Sequence, residues 1–246
     1  MFIPLGDDNS SRRTTPLVVY LLIAANALVW LLQLTMGDRF TMGFSTIPYE
    51  ITHGVDLTGV KRIVVDGHSV ALHNFPGPTP IYLTLLTSMF MHGSWMHIIG
   101  NMLYLWIFGD QIEDRLGHVK FLVFYLLCGL VAGLAQVFSS SSSLLPGLGA
   151  SGAIAGVLGA YLIRFPRNQV RVLMFRAVVA VPAVVVLGGW ILLQLISQVS
   201  VVQGAGGVAY MAHIGGFVAG VVLILIFDRA SGRVGVGQRP RWARSI

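Results

Sequence analysis

Three short polar segments interrupt a largely apolar chain, and their residue types could support chemistry by a nucleophilic serine. The segments are HGSWMHIIGN (His92–Asn101), GASG (Gly149–Gly152) and AHIGG (Ala212–Gly216). A serine hydroxyl becomes nucleophilic when a neutral imidazole within hydrogen-bond reach takes its proton and later gives it to the leaving amine. Ser151 and His213 are the candidates for these two roles. Because no Asp or Glu lies between Asp114 and Asp228, they would act as a dyad and not as a Ser-His-Asp triad.

A second pair of polar side chains, His97 and Asn101, could stabilise the charge that develops during such a reaction. The two residues are four positions apart and therefore share one face of a helix. Both side chains can donate hydrogen bonds, as an oxyanion hole requires. The alternative is that the pair only forms hydrogen bonds between helices. His92, five positions before His97, is poorly placed to bind a metal together with it, so we predict a structural role.

Small residues surround the candidate serine and histidine, and they would let two helices approach closely. Gly152 and Gly156 are four residues apart, as are Gly216 and Gly220. Small side chains at this spacing allow transmembrane helix backbones to pack tightly, so a histidine on one helix could reach a serine on the other. The small residues predicted to pack around the site are Gly149, Gly152, Gly156, Gly216 and Gly220. The alternative is that Ser151 only caps a tightly packed helix and that His213 is a core histidine bonded to a carbonyl.

The composition indicates a membrane protein. Of the 246 residues, 55% are hydrophobic and 11% are charged, whereas soluble domains carry about 25% charged residues. The single cysteine, Cys128, excludes a disulfide framework and a cysteine metal site. The net charge of +6 comes mostly from arginines near the ends of apolar segments, which favours lipid head groups over nucleic acid as partners.

We expect an all-α bundle of six transmembrane helices. The apolar segments are 16–36, 94–108, 119–138, 151–165, 182–199 and 208–227. We interpret residues 1–15 as a short tail, 16–227 as one domain with a long first loop at 37–80, and 228–246 as an arginine-rich tail. The segment from Val172 to Val181 is apolar but contains Arg176 and ends at a proline, and we predict an interfacial helix there.

The arginines also predict the orientation of the bundle, because basic residues accumulate on the cytoplasmic side. They place both termini in the cytosol and all three polar segments in the outer part of even-numbered spans. The fourth span, 151–165, is only 15 residues or about 22 Å long, against a hydrocarbon core of about 30 Å. Ser151 should therefore lie at the floor of a water-accessible pocket, where free N–H groups at the helix start favour an anion.

With these motifs in this order, the chain resembles the rhomboid family of intramembrane serine proteases. The segment EDRLG (Glu113–Gly117) matches the family as well. The resemblance implies a Ser151/His213 dyad, and an oxyanion hole formed by the Ser151 backbone N–H, His97 and Asn101. It also implies cleavage of a transmembrane substrate near its outer end, sideways entry from the lipid near the second and fifth spans, and no metal or cofactor. Some family members place an aromatic ring one turn after the serine, where this chain has Ala155.

Rival functions are less well supported by the sequence. The chain has no H-E-x-x-H motif for a zinc protease, and it lacks the two intramembrane aspartates of an aspartyl protease. A transporter is disfavoured because the polar residues cluster in the outer third of the membrane and not at the midplane. The main alternative is a non-proteolytic membrane protein that binds client transmembrane helices. The arginine topology and short tails suggest a bacterial plasma membrane.

Overall fold

The structure is a computed structural model that describes residues 2–10, 12–65, 68–201 and 209–230. Most of the predicted arginine-rich tail, and the loop before the last helix, lie outside the described residues. The described part of the chain is mostly helical. Its α-helices are α1 (Leu17–Met36), α2 (Asp38–Gly43), α3 (Pro48–His53), α4 (Thr84–Thr87), α5 (Trp95–Leu116), α6 (His118–Ser139), α7 (Ser151–Arg164), α8 (Ala183–Val201) and α9 (Tyr210–Ala230).

Three of these helices are long and apolar enough to cross a membrane, and they cover Leu17–Met36, His118–Ser139 and Tyr210–Arg229. Shorter apolar helical segments cover Ile81–Phe90, Ser151–Arg164 and Ala183–Gln198. The first of these segments consists of α4 and a short 3-10 helix on each side of it. This pattern fits a multi-pass helical membrane protein. The count of six spans and the cytosolic position of the termini stay predictions.

The prediction of an all-α fold is wrong in detail, because the described residues also form two small antiparallel sheets. The strands are β1 (Phe2–Asp7), β2 (Gly59–Val65), β3 (His68–Asn74), β4 (Gln169–Met174) and β5 (Ala177–Pro182). One sheet has the order β1-β4-β5 and the other is the hairpin β2-β3. The hairpin, α2 and α3 all lie within residues 37–80, so the predicted long loop has structure of its own.

The interfacial helix predicted for residues 172–181 is wrong, because this segment belongs to the hairpin β4-β5. Val170 and Val172 are buried, whereas Gln169 and Arg171, which alternate with them, are exposed. This alternation has the period of two that is typical of a strand with one buried face. β4 pairs with β1, which lies at the start of the chain. The strand that stabilises β4 is therefore not visible in the local sequence.

The helix α7 forms the centre of the bundle, where all residues from Gly152 to Tyr161 are buried. It packs against α5, α6 and α9. At its C-terminal end, the buried carboxylate of Asp228 on α9 accepts hydrogen bonds from Arg115 on α5 at 2.9 Å and pairs with Arg164 on α7. These ion pairs join α5, α7 and α9 at one end and thereby fix the relative positions of their opposite ends.

The EDRLG segment contributes a second structural contact at the same end of the bundle. Glu113 is buried, and its carboxylate accepts hydrogen bonds from the backbone N–H groups of Val18 at 2.9 Å and Val19 at 2.8 Å. The first N–H groups of a helix lack partners within the helix. Glu113 therefore caps α1 and joins it to α5.

Candidate active site

The opposite ends of α5, α7 and α9 contain the four residues that the sequence singled out for the dyad and the oxyanion hole. Ser151 is the first residue of α7, and His213 lies in the first turn of α9. His97 and Asn101 lie in the first two turns of α5. The structure therefore brings three sequence-distant segments to one end of the bundle.

The backbone before Ser151 is held in a conformation that favours glycine. Gly149 has a φ of +129°, a backbone angle that residues other than glycine rarely adopt. Its N–H donates to the carbonyl oxygen of Ser88 at 2.8 Å, so the loop is fixed immediately before α7 begins. A short helix of 14 residues then starts at Ser151, with its unpaired N–H groups and positive partial charge at the hydroxyl.

Glycines allow α7 and α9 to approach at backbone contact distance. A Cβ atom on Gly216 would collide with the carbonyl group of Gly152, and one on Gly220 would collide with the backbone of Gly156. A methyl group on Gly152 would also lie 2.6 Å from the Cβ of Ala132 on α6. Larger residues at these positions would separate the helices and increase the distance between Ser151 and His213.

The close packing places the serine and the histidine in direct contact. Ser151 Oγ and His213 Nε2 are 2.8 Å apart, which is within the ordinary range for a hydrogen bond. Both side chains are half-buried. An unprotonated Nε2 in this position can accept the hydroxyl proton, which is the geometry that a nucleophilic serine requires.

The structure also shows two neighbours of His213 that the sequence analysis missed, and both lie on α8. The amide oxygen of Gln194 is 2.7 Å from His213 Nδ1, and the ring centroid of Trp190 is 5.7 Å from that of the imidazole. Gln194 is one of two glutamines in a mostly apolar helix, and this polarity was the available signal. This signal is weak because a glutamine amide is not ionisable and Gln194 belongs to no recognised motif.

The imidazole of His97 faces the space in front of Ser151. Its Nδ1 accepts a hydrogen bond from the Gly93 N–H at 3.3 Å, so the ring hydrogen of the neutral imidazole lies on Nε2. A Cβ atom on Gly149 would lie 2.7 Å from His97 Nε2 and 3.7 Å from Ser151 Oγ. The space beside Gly149 is therefore bordered by an N–H donor and by the candidate nucleophile.

Asn101 is buried, and its amide nitrogen lies 3.0 Å from His92 Nε2. The backbone of His92 is held by Gln33 on α1, which accepts from its N–H and donates to its carbonyl oxygen, both at 2.9 Å. His92 thus has the structural contacts predicted for it, because it links Asn101 to α1. One hydrogen of the Asn101 amide is used in this contact, and the second is available to another acceptor.

Within the described residues, no group of three or more His, Cys, Asp or Glu side chains is placed to hold a metal ion. Three groups at this site bear on its chemistry. These are a hydroxyl in contact with an imidazole, a helix N-terminus, and the N–H donor of a second imidazole.

Comparisons with known proteins match a large part of this chain. A family model described as "Rhomboid domain" matches residues 80–230, a range that contains Ser151, His213, His97 and Asn101. Rhomboid-like protein 11, chloroplastic, from Arabidopsis thaliana is 23% identical over 83% of this chain and 66% of its own length. Rhomboid protein 1, mitochondrial, from Saccharomyces cerevisiae is 32% identical over 57% of this chain and 40% of its own length.

A human relative, presenilin-associated rhomboid-like protein, mitochondrial, is 29% identical over 56% of this chain and 36% of its own length. The matches thus cover about a third to two thirds of the length of these three relatives. The names of these relatives refer to mitochondria or to a chloroplast. They give no support to the bacterial plasma membrane that the arginine pattern suggested.

Proposed function

This chain belongs to the rhomboid family, and we propose that it is an intramembrane serine endopeptidase. Its substrates would be membrane proteins, which it would cleave within a transmembrane segment near the outer face. The main support is the 2.8 Å contact between Ser151 Oγ and His213 Nε2 at the start of a short, buried helix. The family match and the neighbouring donor on His97 provide further support.

In the first half of the proposed reaction, Ser151 Oγ attacks the carbonyl carbon of the scissile peptide bond. The hydroxyl proton passes to His213 Nε2 as the new carbon–oxygen bond forms. Negative charge then develops on the former carbonyl oxygen. We propose that the N–H groups of His97 Nε2 and of the Ser151 backbone donate to this oxygen, together with the free amide hydrogen of Asn101.

The tetrahedral intermediate collapses when the C–N bond breaks and the imidazolium of His213 gives its proton to the leaving amine. The acyl group stays on Ser151 as an ester. A water molecule then attacks the ester carbonyl, His213 Nε2 accepts a proton from that water, and the proton passes to Ser151 Oγ as the acid is released. Two observations support access of water to Ser151. Ser151 is only half-buried, and α7, which begins at this residue, is short.

The proposal is tested by cleavage of a model transmembrane substrate in detergent or liposomes. Ser151→Ala and His213→Ala should each abolish cleavage while the protein stays folded, as judged by its melting curve. Ser142→Ala, in the serine run before α7, and His73→Ala, in β3, are matched controls and should cleave as the wild type does. Retention of half the activity by either Ser151→Ala or His213→Ala would refute the assignment.

The oxyanion donors can be tested in the same assay. Loss of one such donor typically lowers the rate by about 10²- to 10³-fold, and Asn101→Ala should have a smaller effect because other donors remain. A double variant of His97 and Asn101 should lose much more. Intact turnover in the double variant would remove this role from both residues.

The alternative is a non-proteolytic member of the family that holds client transmembrane helices without cutting them. A wild-type protein that binds a transmembrane peptide but neither cleaves it nor reacts with a fluorophosphonate would favour this alternative. In both cases the partners are the lipid bilayer and a transmembrane helix. We propose that neither a metal nor a cofactor takes part.

A further inference from the structure

The helix α8 combines an apolar surface with one polar contact that leads into the site. Around its centre, Leu192, Leu193, Leu195 and Ile196 are exposed on the surface of the protein, as expected for a helix face in contact with lipid. Gln194 lies among them but is half-buried. A side-chain amide in an apolar environment is costly unless it is hydrogen-bonded, and the amide oxygen of Gln194 is 2.7 Å from His213 Nδ1.

Two residues of α8, one helical turn apart, contact the same imidazole. Trp190 lies against the ring of His213, with centroids 5.7 Å apart and planes tilted by 40°, and Gln194 meets the Nδ1 edge. On α7, the position one turn after the serine is Ala155, which offers no ring or hydrogen-bonding group. Two side chains of α8 therefore contact His213 in addition to Ser151, which lies on α7.

We propose that Gln194 is a positioning residue for His213, and this inference rests on the proposed function. Its amide oxygen accepts the Nδ1–H hydrogen bond and thereby selects the tautomer whose Nε2 lone pair points at Ser151. The tautomer of a neutral imidazole is set by the hydrogen bond that its other nitrogen makes. In the opposite tautomer Nε2 would carry the hydrogen and could not accept the serine proton.

Gln194 does not itself take or give a proton in this scheme. When Ser151 transfers its proton to Nε2, the imidazolium keeps its Nδ1–H, and the amide oxygen still accepts that hydrogen bond. Within the described residues no carboxylate is hydrogen-bonded to His213, and the nearby ionisable group is His97 on α5. The dipole of a neutral amide therefore has the position that a carboxylate has in a Ser-His-Asp triad.

The first test is Gln194→Met, which keeps the length of the side chain but replaces the amide oxygen with a much weaker acceptor. We expect kcat to fall by about 10- to 100-fold, by analogy with the loss of a hydrogen-bond partner that orients a metal-bound histidine, with KM unchanged. The rate of labelling by a small fluorophosphonate should fall by the same factor. This probe needs no opening of the bundle for a transmembrane substrate, so it reports on activation of Ser151 itself. Gln198→Met, one turn further along α8, is the matched control and should behave as the wild type.

The second test is Gln194→Glu, which restores an acceptor and adds a charge. A carboxylate beside Nδ1 stabilises the imidazolium, so the acid limb of the kcat/KM profile should move to higher pH, with activity restored above that limb. A residue that only fills space would not shift this limb, and the variant keeps the proposal testable if Gln194→Met does not fold.

The proposal is overturned if Gln194→Met labels at the wild-type rate, or if the pH profile of Gln194→Glu coincides with that of the wild type. A wild-type protein that neither labels nor cleaves would instead refute the proposed function, so the two failures are distinguishable.

Discussion

Gly149→Ala should abolish the proposed cleavage although both Ser151 and His213 are retained. The new methyl group would lie 2.7 Å from His97 Nε2, whereas non-bonded heavy atoms pack at about 3.5 Å or more. The imidazole or the loop must therefore move by roughly 0.8 Å. The methyl group would also fill the space beside Ser151 Oγ, 3.7 Å away, where the oxyanion would form.

The size of the effect follows from these two contacts and from the backbone. A residue other than glycine held at a φ of +129° costs about 1–3 kcal/mol, which the folded protein should tolerate. Loss of one oxyanion donor lowers kcat by about 10²- to 10³-fold. We expect a loss of at least this size, because the methyl group displaces the donor and also occupies the place of the oxyanion.

The assay is cleavage of a transmembrane substrate, with melting curves to show that the variant is folded. Gly147→Ala is the matched control in the same loop, since its Cβ would meet the Thr46 carbonyl oxygen at an ordinary 3.6 Å. It should retain wild-type activity. A folded Gly149→Ala protein with more than a third of the wild-type kcat would refute our placement of the oxyanion.

Two further predictions concern the framework around the site. Asp228→Asn should lower the free energy of unfolding by about 3–5 kcal/mol, because it removes the buried carboxylate that pairs with both Arg115 and Arg164. Chemical denaturation in micelles measures this, and a wild-type midpoint would contradict it. Burial raises the pKa of Glu50 in the first loop to about 7. The protonated side chain therefore stabilises the folded loop. This stabilisation is complete when the pH is below 4.5, the ordinary pKa of the group, and is lost as the pH rises through about 7. Hydrogen exchange corrected for intrinsic rates should therefore show α3 and the following turn opening more readily at pH 8 than at pH 5, and Glu50→Gln should remove most of that difference. Equal pH dependence in the wild type and the variant would contradict the assignment.

Several features of the fold and the site could be inferred from sequence because their causes are local. Long apolar segments predict helices on composition alone, and α1, α6 and α7 begin and end within one or two residues of the predicted segments. Ser151 and His213 stand out because polar groups in apolar helices are costly and therefore informative. The glycines near these two residues indicated close packing, because small residues let helix backbones approach each other.

Other features depend on partners that are distant in sequence, and no local pattern shows them. The strand β4 is stabilised by pairing with β1, which is more than 160 residues away along the chain. Glu113 caps a helix that begins 96 residues earlier. Gln194 was missed because an uncharged amide in a long apolar helix is only a weak signal until its partner, His213, is placed beside it.

The central claim is that His213 activates Ser151 as a nucleophile. Its most direct test is mass spectrometry of the protein after reaction with a fluorophosphonate. Our account predicts one adduct on the peptide that contains Ser151 in the wild type, and no adduct in His213→Ala under the same conditions. An adduct on another residue, or equal labelling of Ser151 without His213, would contradict it.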